Sequence, residues 1–67
     1  NKKENIELFL ERVKKEVTHE LGHTLGLSHC DNKKCVMSFS NSLEEVDSKT
    51  PYFCSKCLAK LNINYKS

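Results

Sequence analysis

The sequence predicts a mainly α chain whose few helices are stapled together rather than packed around a large core, and three observations predict it. Apolar residues recur at helical spacing through the first third of the chain, where Phe9, Val13, Val17, Leu21 and Leu25 stand four apart. Four cysteines fall as two close pairs, Cys30 with Cys35 and Cys54 with Cys57. At 67 residues, with 37% hydrophobic residues and no Trp, the chain is near the size at which a core alone rarely gives more than about 3–5 kcal/mol. The expected organisation is one small domain over residues 1–67.

The first element is a long helix over residues 6–25, with Glu11, Arg12, Lys14, Lys15 and Glu16 on the outer side. Asn5 suits its N-cap, and Glu7 lies near the positive end of the helix dipole. Gly22 costs about 1 kcal/mol against Ala inside a helix and is tolerated there for close backbone approach. Residues 26–41 read as loop. Ser42-Leu43-Glu44-Glu45 has the capping-box form and predicts a short helix over 43–48. Thr50-Pro51 suits an N-cap followed by Pro in the first turn. Phe53, Cys54, Cys57, Leu58 and Leu61 fall on one stripe, so a last helix runs to about residue 62, with 62–67 frayed. The chain has no internal repeat, low-complexity segment or linker.

Residues 19–30 read His19-Glu20-Leu21-Gly22-His23-Thr24-Leu25-Gly26-Leu27-Ser28-His29-Cys30, an HExxHxxGxxH string followed by cysteine. His19 and His23 share a helix face about 6 Å apart along the axis, so both imidazoles can reach one metal. Glu20 points one step around the helix, close enough to take a proton from a water without being a ligand. On a continuing helix His29 would lie about 9 Å beyond His23 on another face. The helix must therefore stop and the chain turn back. Gly26 allows this, because Gly enters the left-handed region cheaply after a last helical turn. Three neutral His ligands leave one position open, the layout of a catalytic rather than a structural zinc.

The cysteines, spaced C-x4-C-x18-C-x2-C, fall within the variation of structural tetrathiolate sites. Two disulfides are the competing reading, the one four cysteines in a short secreted chain would suggest. A CxxC pair joined to a second close pair favours metal. Because His29 and Cys30 are adjacent, a metal on the cysteines would tether the loop that carries His29. Met37, whose thioether is a poor zinc ligand, reads by its own chemistry as an adaptable core residue. Tyr52, beside Pro51 and Phe53, reads as packing rather than as a transition-state stabiliser.

The extended motif resembles that of the metzincin metallopeptidases. Cys30-x4-Cys35-x-Met37, followed by Cys54-Ser55-Lys56-Cys57, resembles the archaemetzincin pattern in particular. The resemblance implies a catalytic zinc on His19, His23 and His29, Glu20 as general base, and Met37 in a Met-turn beneath the metal. It also implies a structural zinc on Cys30, Cys35, Cys54 and Cys57, hence two zinc ions per chain, with peptide or protein as substrate. Sixteen residues separate Met37 from Cys54, one fewer than the usual pattern, a loop deletion that is easily absorbed. In that clan a sheet and helices precede the active-site helix, whereas the eighteen residues before His19 do not read as a sheet and the chain begins with Asn1. The resemblance thus implies the C-terminal part of an α+β metzincin-like catalytic domain. The face bearing Phe9, Val13 and Val17 would then lack its cover and promote self-association, with little turnover by these residues alone.

Net charge is +2, and 30% of residues are charged, of both signs. Lys2-Lys3, Lys14-Lys15 and Lys33-Lys34 read as solvated faces, too dispersed to argue nucleic-acid binding. No apolar run approaches a membrane span, so no membrane partner is expected, and neither end has a signal pattern, which says little about secretion; a cytoplasmic location is the expectation. The competing functional class is a non-enzymatic zinc module with a vestigial histidine site. Glu20 standing with all three histidines argues against it, since a vestigial site needs no base.

Overall fold

The computed structural model describes residues 1–65. Three helices follow in order: α1 (Lys2–Thr24), α2 (Leu43–Ser48) and α3 (Ser55–Tyr65). Among the described residues, strand pairing is limited to an isolated parallel bridge between Cys30 and Ser38. The mainly helical fold class stands. Within α1–α3, no helix is long and apolar enough to cross a membrane.

α1 begins four residues earlier than expected, and its cap is Asn1, not Asn5. Asn1 Oδ1 accepts from the Glu4 N–H at 3.0 Å, and the Glu4 carboxylate accepts from the Asn1 amine at 3.4 Å. This reciprocal box starts the helix upstream of Asn5, which itself donates to the Asn1 carbonyl at 3.0 Å inside the first turn. At the other end Leu25 is the C-cap and Gly26 takes φ 98°. The Gly26 N–H donates to His23 O at 3.0 Å and the Leu27 N–H to Gly22 O at 2.9 Å, a Schellman closure that buries Leu27.

The apolar stripe of α1 faces away from the rest of the chain: Phe9 is 64% exposed and Val17 61%. Its docked face is polar. Arg12 makes a bidentate pair with Asp47 at 2.9 and 2.7 Å. Lys15 is buried, and its ammonium donates to Val46 O at 3.0 Å and Asp47 O at 3.3 Å, while Lys34 donates to Ser48 O at 3.2 Å. α2 has no basic residue in its own last turn, so cations from elsewhere satisfy its terminal carbonyls and complement its dipole. Lys49 is also buried, bonded to Ser38 O at 2.9 Å, with burial pulling its pKa below the usual lysine value. Reading Lys15 as part of a solvated face is thereby corrected. α2 itself has the expected bounds, with Ser42 Oγ accepting from the Glu45 N–H at 3.3 Å.

The last helix starts at Ser55, not after Thr50-Pro51. The Thr50 N–H and hydroxyl both donate to Lys34 O, at 3.0 and 2.8 Å, and Tyr52 O accepts from the Val36 N–H at 3.0 Å. Pairing with the cysteine loop thus takes up the groups a helix start would have used. Helical bonding opens with the Leu58 N–H on Cys54 O at 2.9 Å. α3 is helical through Tyr65, past the expected end at 62; the part of the fraying expectation at 66 and 67 lies outside the described residues. Leu58 leaves the expected stripe and is exposed, while Phe53, Cys54 and Leu61 pack on the core.

That core is small: Leu27, Cys35, Val36, Met37 and Cys57. Gly22 of α1 presses against it. A Cβ there would overlap the Met37 sulfur, lie 2.9 Å from Met37 Cε and 3.1 Å from Phe53 Cε1. Gly22→Ala is therefore expected to destabilise the metal-loaded chain, because overpacking of about 1–3 kcal/mol outweighs the helix-propensity gain of about 1 kcal/mol. Thermal unfolding checks this, and adding Met37→Ala should cost less in the Gly22→Ala background than in the parent.

Candidate functional site

The Schellman turn sends residues 27–30 back along α1 and brings His29 to the two helical histidines. Ring centroids lie 4.6 Å apart for His19 and His23, 5.3 Å for His19 and His29, and 4.9 Å for His23 and His29. One ring nitrogen of each falls within 4.8 Å of the others, so the three could hold one metal ion. Backbone carbonyls set two of the rings. His19 Nδ1 lies 2.8 Å from Val36 O and His23 Nδ1 lies 2.8 Å from Leu27 O. A carbonyl can only accept, so each Nδ1 carries the proton and each neutral ring turns a bare Nε2 lone pair inward. Those two Nε2 atoms are 3.0 Å apart. Two lone pairs so placed repel unless a proton or a metal cation sits between them. A tetrahedral zinc with bonds of about 2.0–2.1 Å would set them roughly 3.3 Å apart, so the donor set fits zinc.

Glu20 is exposed beside the ligand-bearing face of α1, and His29 is exposed as well. Phe39 stands edge-on to His29 with centroids 5.3 Å apart, also largely exposed. Sequence reasoning missed Phe39, and it missed the Val36 and Leu27 carbonyls. A backbone acceptor leaves no signature in residue type, so only folding could reveal those two. Met37 is fully buried in a turn, against Gly22 of the helix that bears His19 and His23.

The four cysteines converge independently. Cys30 Sγ and Cys54 Sγ are 3.7 Å apart, Cys35 Sγ and Cys57 Sγ 3.6 Å, and all four sulfurs lie within 4.8 Å of one another. All four are free thiols in this structure. A tetrahedron with zinc–sulfur bonds of about 2.3 Å has edges of roughly 3.8 Å, close to these separations. Backbone N–H groups of Met37 and Cys54 donate to Cys35 Sγ at 3.4 and 3.3 Å. A hydrogen bond from the Cys57 N–H is the leading reason the Cys54 pKa falls to about 6, against the opposing effect of burial. Burial pushes the Cys57 thiol up, with hydrogen bonds to the other cysteines adding to it. At Cys30 the Asn32 N–H pulls down most strongly, but burial and the neighbouring Cys54 and Cys35 outweigh it and the thiol is raised. Four sulfurs this close cannot all ionise without a cation among them, and a divalent metal supplies that charge.

A helical frame with a histidine donor set beside a thiol donor set defines a unit that could bind metal. Residues 1–63 match the profile of peptidase family M54, and the chain belongs to that family. It is 67% identical over 63 residues to the archaemetzincin of Sulfolobus acidocaldarius, covering 94% of this chain and 36% of that protein. The crystal structure of archaemetzincin from Methanopyrus kandleri superposes with a TM-score of 0.87 at 62% identity, over 91% of this chain and 34% of that one. A zinc-dependent peptidase from Methanocorpusculum labreanum superposes with a TM-score of 0.75 at 50% identity, over 78% of this chain and 27% of that one. The chain thus spans about a third of the length of the curated relatives it matches.

Native mass spectrometry of the metal-loaded chain is expected to show two zinc ions. Chelator should remove the histidine-bound ion first, because four thiolates close a shell that three neutral ligands leave open. A metal-free mass lighter by the four protons of two disulfides would contradict this.

Proposed function

We propose that this chain carries the zinc centre of a metallopeptidase, with residues 1–67 as a single small domain that forms the C-terminal part of a larger metzincin-like catalytic domain. The observation that carries the proposal is the convergence of His19, His23 and His29, two of them anchored through Nδ1, next to an exposed Glu20. In this reading His19, His23 and His29 hold the catalytic zinc. Cys30, Cys35, Cys54 and Cys57 hold a second, structural one, and Met37 packs beneath the first as a Met-turn.

Zinc bound at the histidines supplies Lewis acidity toward the scissile carbonyl and lowers the pKa of water toward about 7. Everything else falls to the chain. The Val36 and Leu27 carbonyls hold two rings in the tautomer that presents Nε2. Glu20 takes the proton of the attacking water and passes it to the leaving amine. The substrate is a peptide or protein, in keeping with the family.

The isolated chain is expected to turn over peptide weakly, because holding a carbonyl at about 3–3.5 Å from the attacking atom supplies roughly 7–11 kcal/mol of the barrier. Among the described residues strand pairing is limited to the single bridge, so they offer no sheet edge on which an extended peptide could pair. Their exposed stripe of Phe9, Val13 and Val17 favours self-association.

Glu20→Ala, made in a protein of the length the relatives have, should cut peptide hydrolysis by at least about 100-fold with zinc content unchanged. Metal analysis alongside a peptide-cleavage assay decides the matter. Loss of zinc together with activity would make Glu20 structural, and undiminished cleavage would remove it from the mechanism.

A further inference from the structure

The segment Cys35-Val36-Met37 touches both donor sets through its backbone. Cys35 Sγ belongs to the sulfur cluster and takes N–H bonds from Met37 and Cys54. Val36 is completely buried; its carbonyl faces His19 Nδ1 at 2.8 Å while its N–H donates to Tyr52 O at 3.0 Å. Met37 O accepts from the Cys30 N–H at 2.9 Å, and Cys30 is the chain neighbour of His29. His23 is different. Its Nδ1 rests on Leu27 O, in the turn that closes its own helix, with no cysteine in between.

We propose that this strap couples the two metal sites energetically: metal on the cysteines raises the affinity of the histidine set by fixing the Val36 carbonyl that orients His19. This rests on the reading that both donor sets hold metal. A ring free to rotate loses orientational freedom when it binds an ion, and a fixed carbonyl on Nδ1 removes that cost and selects the tautomer with Nε2 bare. The carbonyl is fixed only while the strap is. The strap in turn depends on four close sulfurs, which stay gathered as thiolates only around a cation. Metal on the cysteines therefore favours metal on the histidines. Because the coupling is an equilibrium property it is reciprocal, and couplings of this kind span about 5–150-fold in affinity.

The test uses the whole 67-residue chain with cadmium(II) as a soft probe for the thiolates and cobalt(II) for the histidines. Nitrogen-edited NMR of the metal-free chain is compared with that of the chain holding one equivalent of cadmium. The His19 Nδ1 proton is expected to gain at least about tenfold protection from solvent exchange, while the His23 Nδ1 proton changes little. Cobalt is then titrated into the cadmium-loaded parent and into Thr50→Val. That variant removes the hydroxyl bonded to Lys34 O, Tyr52 O and the Tyr52 N–H, and so loosens the segment that holds Val36 without touching a ligand. Cobalt affinity should fall at least about fivefold in the variant with cadmium content unchanged. Equal protection of the two histidines, or equal cobalt affinity of parent and variant, overturns the coupling and leaves the zinc reading intact. Cadmium protection of His19 with no cobalt bound at the histidines overturns the zinc reading itself, and the coupling with it.

Discussion

Four sulfur atoms within 4.8 Å of one another hold the shape of this chain, and almost everything else is arranged around them. The buried cluster contains Cys35 and Cys57, and Cys30 and Cys54 pack against it with Phe53 and Leu61. Little apolar surface remains to do the job without them. The loop after α1, the crossing at 50–54 and the start of α3 meet at these sulfurs. Each cysteine therefore serves as packing and, in the proposed metal-bound state, as a cross-link between segments that are distant in sequence. Short chains of this kind are held by such staples because the entropy lost on ordering them exceeds what a thin core returns.

The second constraint is electrostatic. α1 docks through its charged side, with Arg12 on Asp47 and Lys15 on the carbonyls that end α2. Lys34 reaches the next carbonyl and Lys49 holds Ser38 O from within the core. Burying an ammonium is costly unless its protons find acceptors, and here Lys15 finds them in the last-turn carbonyls of α2 and Lys49 in Ser38 O. The result fixes the direction of α1, and hence of His19 and His23, without using its apolar residues. Those remain open on the opposite face, from Phe9 to Leu21.

Between these two anchors lies the histidine centre, built from one helix and one returning loop. Gly22 lets the Met37 turn approach α1 so closely that a methyl group has no room, and Val36, beside Met37, then presents its carbonyl to His19. Gly26 closes the helix so that Leu27 offers its carbonyl to His23 and His29 can return. The two glycines thus act at consecutive stages: one admits the turn and the other makes it possible for the third histidine to arrive.

Much of this was legible in the residues themselves. The His19-to-His29 string carries its geometry in its spacing, because a helix of 3.6 residues per turn leaves no other way for three imidazoles to meet than a break at Gly26. The cysteine pairs, the cap at Ser42 and the mainly helical class were equally readable, since each rests on local spacing or local hydrogen bonding. The capping box at Asn1 and Glu4 is local as well, but it lies upstream of the apolar period that begins near residue 6. What only tertiary structure decided were the long-range partners. Thr50 and Tyr52 do not start a helix because Lys34 and Val36 claim their hydrogen-bonding groups. Lys15 is buried because the end of α2 arrives beside it. The carbonyls that aim His19 and His23 belong to the backbone, and no pattern of side chains can announce which carbonyl a folded chain will bring to a ring.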